Sequence, residues 1–209
     1  MKVVSTSEIK QTVQVLKKGM VVAYPTDTAY GLGASVDSLK GIKKIFKIKG
    51  RQGKNPISIV VSSLAQAKKV AVFNKNALRL WKKFMPGALT LVLPISNVLR
   101  GRKKGRKKER KNWKLLSAGT GTIGIRMPNH SVPGALVKKL GTPITTTSAN
   151  VSGKPSSYSV EDIKAQFGKR KRKPDIIIDG GKLKRGIIST VVDCTGSEIK
   201  IIRKGNLKI

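Results

Sequence analysis

The stretch Met20-Val21-Val22-Ala23-Tyr24-Pro25-Thr26-Asp27-Thr28-Ala29-Tyr30-Gly31-Leu32-Gly33 sets the reading of the whole chain. Met20 to Tyr24 is a short apolar run, which predicts a buried strand. Pro25 ends it. Residues 25–33 then bring two hydroxyls, a carboxylate, a phenol and two glycines. Polar loops at the carboxyl ends of strands in open α/β sheets form ligand crevices. An ordinary Asp/Gly turn has the same composition, so the pattern alone leaves both readings open.

Working outward, helices and strands alternate. Ser7 to Lys18 reads as a helix: Ser7 caps it, Ile9, Val13 and Leu16 share a face, and Gly19 stops it. Ser38 caps a second helix carrying Ile42, Ile45 and Phe46. Asn76 to Met85 is helical up to Pro86-Gly87, Pro133 to Leu140 is helical, and Ser159 to Phe167 is a capped helix. Strands are expected at Ile57–Val61, Leu89–Leu93, Thr122–Arg126, Ile144–Thr147, Ile176–Ile178, Thr190–Val192 and Ile199–Ile202. Interspersed helices and strands without a linker predict a single α/β (α+β) domain over 1–209.

The charge is lopsided. In 209 residues there are 44 Lys and Arg against 10 Asp and Glu, a formal net charge of +34. The segment Arg100–Lys114 holds ten cations and one acid, Glu109, and Lys169–Lys173 holds five in a row. Such density predicts an exposed, mobile loop over the first segment, within a basic insertion at 97–118. That loop is either a solvated insertion without a partner or an arm for RNA phosphates. Trp113 at its edge can stack on a base, though packing is the commoner use. Outside both segments the chain is still basic, with 29 cations against 9 acids.

Several chemistries are excluded. One cysteine, Cys194, allows no disulfide framework, and one histidine, His130, argues against His-rich metal chemistry. Gly119-x-Gly121-x-x-Gly124 is a poor dinucleotide fingerprint: it follows a charged loop, and no acid occurs between Glu109 and Glu161. There is no P-loop, no nucleophile elbow and no flanking pair of carboxylates. The amino-terminal residues lack a signal-peptide core, and no apolar run approaches bilayer length. The expectation is a soluble cytoplasmic protein without a membrane partner and without a tightly bound, protein-liganded metal.

Two further polar clusters follow strand or helix ends. Lys47-Ile48-Lys49-Gly50-Arg51-Gln52-Gly53-Lys54-Asn55-Pro56 alternates cations with glycines and can clasp a polyphosphate, or it is a solvated charge run. Thr145-Thr146-Thr147-Ser148-Ala149-Asn150-Val151-Ser152-Gly153 offers hydroxyls, an amide and backbone donors, suited to an anion nest or to a plain polar loop.

Taken in order, Pro25–Leu32, Lys49–Arg51 with Asn55-Pro56, Ile125–His130, Thr147–Gly153, Ser189–Asp193 and Ile202–Gly205 closely resemble the YrdC-like family of L-threonylcarbamoyladenylate synthases. The resemblance spans about residues 7–207. It implies an open, twisted mixed sheet with helices around a deep, positively charged cavity. It implies that L-threonine, bicarbonate and ATP, with Mg²⁺ on the phosphates, give threonylcarbamoyl-AMP and pyrophosphate. A threonylcarbamoyl-transferase complex would then pass the group to tRNA. By motif, Lys49 and Arg51 are the catalytic cations at the ATP phosphates. Arg51, Asn55, Thr122, Ser148, Asn150, Ser156 and Arg203 bind the nucleotide. Thr28, Tyr30, Lys54, the backbone at Val60, Arg126, Thr146 and Ser189 form the threonine pocket. Asp27 and Ala29 stand where the family varies and carry little weight. The basic segments 100–114 and 169–173 are the expected surface for tRNA or other RNA. The competing reading is a non-enzymatic RNA-binding or ribosome-maturation factor of the same fold.

Overall fold

The structure, a computed structural model, describes residues 1–50, 55–99 and 107–209. Ten strands form one mixed sheet: β1 (Lys2–Ser5), β2 (Val22–Tyr24), β3 (Gly31–Gly33), β4 (Ser58–Val60), β5 (Leu89–Pro94), β6 (Thr122–Arg126), β7 (Ile144–Ser148), β8 (Ile176–Asp179), β9 (Thr190–Asp193) and β10 (Lys200–Arg203). Their spatial order is β1-β8-β2-β3-β7-β4-β6-β5-β9-β10. β4 runs parallel to β6 and antiparallel to β7, with Val60 opposite Arg126 and Ser58 opposite Thr146. Seven α-helices surround the sheet: α1 (Ile9–Lys17), α2 (Leu39–Lys49), α3 (Leu64–Val70), α4 (Lys75–Phe84), α5 (Lys107–Leu116), α6 (Ser131–Leu140) and α7 (Val160–Phe167).

Side chains alternate across a strand, and this alternation divides the sheet into two faces. Ala23, Ile59, Leu89, Leu91, Leu93, Ile123, Ile125, Ile177 and Val192 point to one face. They join residues of α2, α3, α4, α5 and α7 in the larger apolar cluster. Val22, Tyr24, Val60, Ile144, Ile176 and Ile178 point to the other face, where α1 and α6 pack over them. That cover is partial. Farther along the same face the strands present Ser58, Thr90, Gly124, Arg126 and Thr146 instead, and an open cleft begins there.

Glycine makes one turn of this face possible. Tyr24, fully buried, lies across β3, and a Cβ at Gly33 would stand 2.7 Å from its ring. Its hydroxyl donates to the Thr145 carbonyl at 3.2 Å. Burial pushes the Tyr24 phenol up to about 12.

The structure corrects one expectation. Residues 107–116 of the basic segment are a helix rather than a loop. Asn112, Trp113 and Leu116 recur at helical spacing and are buried, Trp113 at 4% exposure. Burying a Trp and a Leu contributes about 1.5–3 kcal/mol each. Like-charge neighbours on a helix cost only a few tenths of a kcal/mol per pair. Packing therefore wins, and Trp113 is an anchor rather than a stacking platform. Residues 100–106 of the expected loop lie outside the described residues. Three elements escape the sequence reading altogether: β1, β3 and α3.

Gly119 and Gly121 have positive φ, 83° and 76°, and Gly124 sits within β6. No helix begins there, in keeping with rejection of the dinucleotide fingerprint. No described helix is long and apolar enough to cross a membrane.

Candidate active-site cleft

The cleft has a volume of about 290 Å³ and opens where β7, β4, β6 and β5 present Thr146, Ser148, Ser58, Arg126 and Thr90, beside Gly31 of β3 and Val191 of β9. The loop after β2 closes one wall. Thr26 Oγ1 donates to the Ala29 carbonyl at 2.6 Å and accepts from the amides of Thr28 and Ala29. With that proton engaged, the Thr28 hydroxyl donates to Thr26 Oγ1 at 3.1 Å. Its lone pairs then face Arg126, whose Nη1 donates to it at 3.3 Å.

Arg126, the last residue of β6, is the buried cation of the site. Its Nη2 donates to Asp27 Oδ1 at 2.8 Å, and the two side chains are only 10% and 12% exposed. The second Asp27 oxygen accepts from the Asn129 amide at 3.1 Å. Buried and doubly bonded, Asp27 fixes the guanidinium plane. Arg126 Nε is buried with no partner among the described residues. A buried donor left unpaired costs about 1–3 kcal/mol, a cost that the Asp27 and Thr28 contacts of the same guanidinium offset.

A second guanidinium comes from β10. Arg203 Nε and Nη2 donate to the Ser189 carbonyl at 3.1 and 2.9 Å, and Nη2 also reaches Ser189 Oγ at 2.6 Å. Ser189 Oγ in turn shares a hydrogen bond with Thr90 Oγ1 at 3.2 Å. Burial, and then the charge of Arg126, lower the Arg203 pKa. Arg126 and Arg203, two cations in one cleft whose described lining holds no carboxylate, define a site for an anion.

Lys49 organises the opposite wall. It is the last residue of α2, ended by Gly50 at φ 67°. The side chain is 1% exposed, and its Nζ donates to the Ser148 carbonyl at 2.8 Å and to Asn150 Oδ1. Ser148 Oγ donates to the same amide oxygen at 2.6 Å, and Asn150 Nδ2 donates to the Lys154 carbonyl. The lysine thus pins the 148–154 loop to the end of β7.

Of the residues named from sequence, Thr28, Tyr30, Arg126, Thr146, Ser148, Ser156, Ser189 and Arg203 line the cleft together. Lys49 and Asn150 support its wall. The Tyr30 phenol is taken: it donates to the Gly181 carbonyl at 2.8 Å and accepts from the Gly180 amide at 2.9 Å. Burial, first, raises its pKa. Val60 packs its side chain in the core and borders the site only as the neighbour of Arg126. Asn55 is exposed, and Thr122 starts β6 with its hydroxyl bonded to that of Thr120; neither lines the cleft. Arg51 and Lys54 lie outside the described residues. Sequence reasoning discounted Asp27, held Thr26 only as part of the polar cluster 25–33, and missed Ser58 and Thr90. Asp27 carried a signal, an acid three residues past a strand, but only the fold brings it to Arg126. His130 serves structure here: its Nδ1 accepts from the Val132 amide and caps α6.

Among the described residues, no three His, Cys, Asp or Glu gather as a metal cage. Asp27, the carboxylate bonded to Arg126, has both oxygens engaged.

The chain resembles known proteins along nearly all its length. It is 36% identical over 195 residues to the threonylcarbamoyl-AMP synthase of Pyrococcus abyssi, covering 93% of this chain and 53% of that protein. It is 35% identical over 202 residues to the Bacillus subtilis protein of that name, covering 96% and 54%. The chain thus spans about half the length of these two relatives. A putative threonylcarbamoyl-AMP synthase of Methanocaldococcus jannaschii is 33% identical and is covered to 89%. Among solved structures, Pyrococcus abyssi Sua5 complexed with L-threonine superposes with a TM-score of 0.84 at 35% identity, over 98% of this chain and 56% of that one. Escherichia coli YciO superposes with a TM-score of 0.80 at 27% identity, over 98% and 94%. The family model Sua5_yciO_yrdC, described as "Telomere recombination", matches residues 14–205. With this match, these relatives and the shared open sheet, the chain belongs to the Sua5/YciO/YrdC family.

Proposed function

We propose that the chain is a threonylcarbamoyl-AMP synthase, a nucleotidyltransferase that condenses L-threonine, bicarbonate and ATP. The observation that carries this reading is the buried, half-neutralised Arg126 facing Arg203 in a cleft walled by hydroxyls. The reaction joins anions and needs their charge offset and their geometry held, rather than a proton shuttle. The threonine amine attacks the carbon of bicarbonate, a C–N bond forms and water leaves. The resulting carbamate oxygen attacks the α-phosphorus of ATP, a P–O bond forms, and the bond to the β-phosphate breaks to release pyrophosphate.

In this chemistry Arg126 holds the threonine carboxylate. Thr28, Thr146 and Ser189 take the amine and hydroxyl. Ser148, Asn150 and Ser156, on the wall pinned by Lys49, face the nucleotide with Arg203. By the family resemblance, Arg51 is assigned to the ATP phosphates and Lys54 to the threonine pocket. Mg²⁺ enters with the substrate as Mg·ATP. The adenylate would be consumed by a transferase that modifies tRNA.

The test is pyrophosphate release from Mg·ATP by the purified chain. Release should require L-threonine and bicarbonate together. Release indifferent to either one contradicts the synthase, and no release at all favours the RNA-only module. Arg51→Ala should lower the rate by about 10²-fold or more, the scale of losing one charge-stabilising donor.

A further inference from the structure

Met127-Pro128-Asn129-His130 join Arg126, the last residue of β6, to Ser131, the first residue of α6. This short link is held along its length. The Met127 amide donates to Met85 Sδ at 3.3 Å, and the Met127 carbonyl accepts from the Gly87 amide at 2.9 Å. Pro128 is buried. Asp27 spans the link: one carboxylate oxygen takes Arg126 Nη2 at 2.8 Å and the other takes the Asn129 amide at 3.1 Å. At the far end His130 is extended, with φ −152° and ψ 138°, and its Nδ1 accepts from the Val132 amide at 3.2 Å. The cap that fixes the start of α6 therefore also fixes the residue beside the Asn129 amide.

The chemistry of this cap differs from the others. Ser38, Ser63, Asn74 and Ser159 cap α2, α3, α4 and α7 with side chains that do not titrate near neutral pH. Histidine does titrate there. An imidazole that accepts through Nδ1 is neutral, with its proton on Nε2. A second proton turns Nδ1 into a donor facing the Val132 N–H and sets a positive charge against the amino-terminal end of the helix dipole. The imidazolium would also compete for Asp27, the carboxylate that orients Arg126.

Few charges bear on this ring. Asp27, from the loop after β2, acts on it directly, and Arg126 of β6 meets it through Asp27. Helix α1, which packs on α6, turns Val13 and Leu16 into the shared apolar cluster and leaves Lys10 and Lys17 exposed. Strand β4, also in contact with α6, carries no charge, and the cations of α6 itself, Lys138 and Lys139, lie in its last turn. Burial, first, lowers the His130 pKa, and the charge of Asp27 works against it. The cap is therefore whole at neutral pH and is lost as pH falls through that lowered value.

We infer that His130 is a positioning residue for threonine: as the neutral cap of α6 it holds the Asn129 amide on Asp27, and Asp27 in turn holds the guanidinium of Arg126. This role rests on the synthase reading, since Arg126 is there given the threonine carboxylate. Its consequence is a threonine site that weakens on acidification.

The test is calorimetric titration of L-threonine into the full chain at about pH 7.5 and about pH 5. The unaltered chain should bind roughly threefold or more weakly at the acid end. His130→Asn keeps a cap that takes up no proton; it should match the unaltered chain at neutral pH within about twofold and lose the acid fall. His130→Ala removes the cap and should bind roughly fivefold more weakly at both values. Ser63→Ala removes a cap from α3, in the helix layer on the other face of the sheet, where Ser63 Oγ accepts from the Gln66 amide at 3.1 Å. Its threonine affinity should stay within about twofold of the unaltered chain. Equal losses in His130→Ala and Ser63→Ala would mean that general stability alone is at work, and would overturn the role of His130. An acid fall that persists in His130→Asn, or a flat profile in the unaltered chain, would overturn it as well. If His130→Ala does not fold, His130→Asn decides. Without threonine, the Asn129 amide resonance should move with the titration of the His130 ring, and an Asn129 resonance that stays fixed refutes the coupling. That readout needs no ligand, so failure of the unaltered chain to bind threonine counts against the synthase reading alone.

Discussion

The two faces of the sheet use cations in opposite ways. In the cleft, Arg126 and Lys49 are buried and each is held by named partners, Asp27 and Thr28 for the one, Ser148 and Asn150 for the other. On the basic belt along the outside of α2, Lys40, Lys43 and Lys47 project into solvent from a helix whose apolar side does the folding. A buried charge is costly to place and costly to leave unpaired, so each one is fixed in geometry and specific in what it meets. An exposed lysine is nearly neutral for stability and acts only in number. Sequence position does not separate the two kinds: Lys47 and Lys49 are two residues apart on α2, and the helix turns one outward and the other inward.

The largest effect should come from breaking the cleft's central pair. Arg126→Ala leaves the largely buried Asp27 carboxylate without its counter-ion, held only by the Asn129 amide. Pyrophosphate release should fall by about 10³-fold, and urea unfolding should show a loss of about 3–5 kcal/mol. Retained turnover in a folded variant would remove Arg126 from the chemistry. Lys49→Met, which keeps the stem and deletes the charge, should cost about 10²-fold in turnover by freeing the 148–154 wall. Asp27→Asn keeps the shape but weakens the clamp. Its mark should be a rise of about tenfold in KM for threonine with a smaller change in kcat, the signature of a group acting through Arg126.

A smaller effect separates core from site. The Tyr24 phenol is pushed up to about 12 by burial, against about 10 in an unfolded chain. A raised folded-state pKa means that its contribution is whole below about pH 10 and is lost as pH climbs through 12. Tyr24→Phe should cost about 1 kcal/mol at neutral pH, from the lost bond to Thr145. It should also flatten the alkaline fall in unfolding midpoint between pH 10 and 12, leaving Cys194, pushed up to about 11, as a contributor. An unaltered alkaline limb would show that Tyr24 titrates as it does in the unfolded chain. Smallest of all, Lys40→Gln/Lys43→Gln/Lys47→Gln should leave both stability and adenylate synthesis within experimental scatter, since exposed changes rarely exceed about 0.5 kcal/mol. A clear loss of synthesis would join belt and cleft into one site.

What the sequence revealed follows this same division. The run from Thr122 to Arg126 reads correctly as a strand because its β-branched and apolar residues fit a half-buried pleat. Gly31-Leu32-Gly33 reads as a turn by composition, and becomes a strand only because Tyr24 must lie across residues without a Cβ. Helix α5 was hidden by its charge, although Asn112, Trp113 and Leu116 carried the helical spacing. In the site, hydroxyls at strand ends were legible as motifs. Asp27 was not, since its meaning lies in a contact across 99 residues. Nor was the approach of the second basic run to α2, which shows in the Lys44–Asp175 pair.

The division of labour between the faces is tested most directly by calorimetric titration of L-threonine into three proteins. These are the unaltered chain, Arg126→Ala and the α2 triple Lys→Gln variant. Threonine should bind equally to the first and third and not at all to the second. Binding retained by Arg126→Ala, or lost with the lysines, would mean that the two faces do not divide the work in this way.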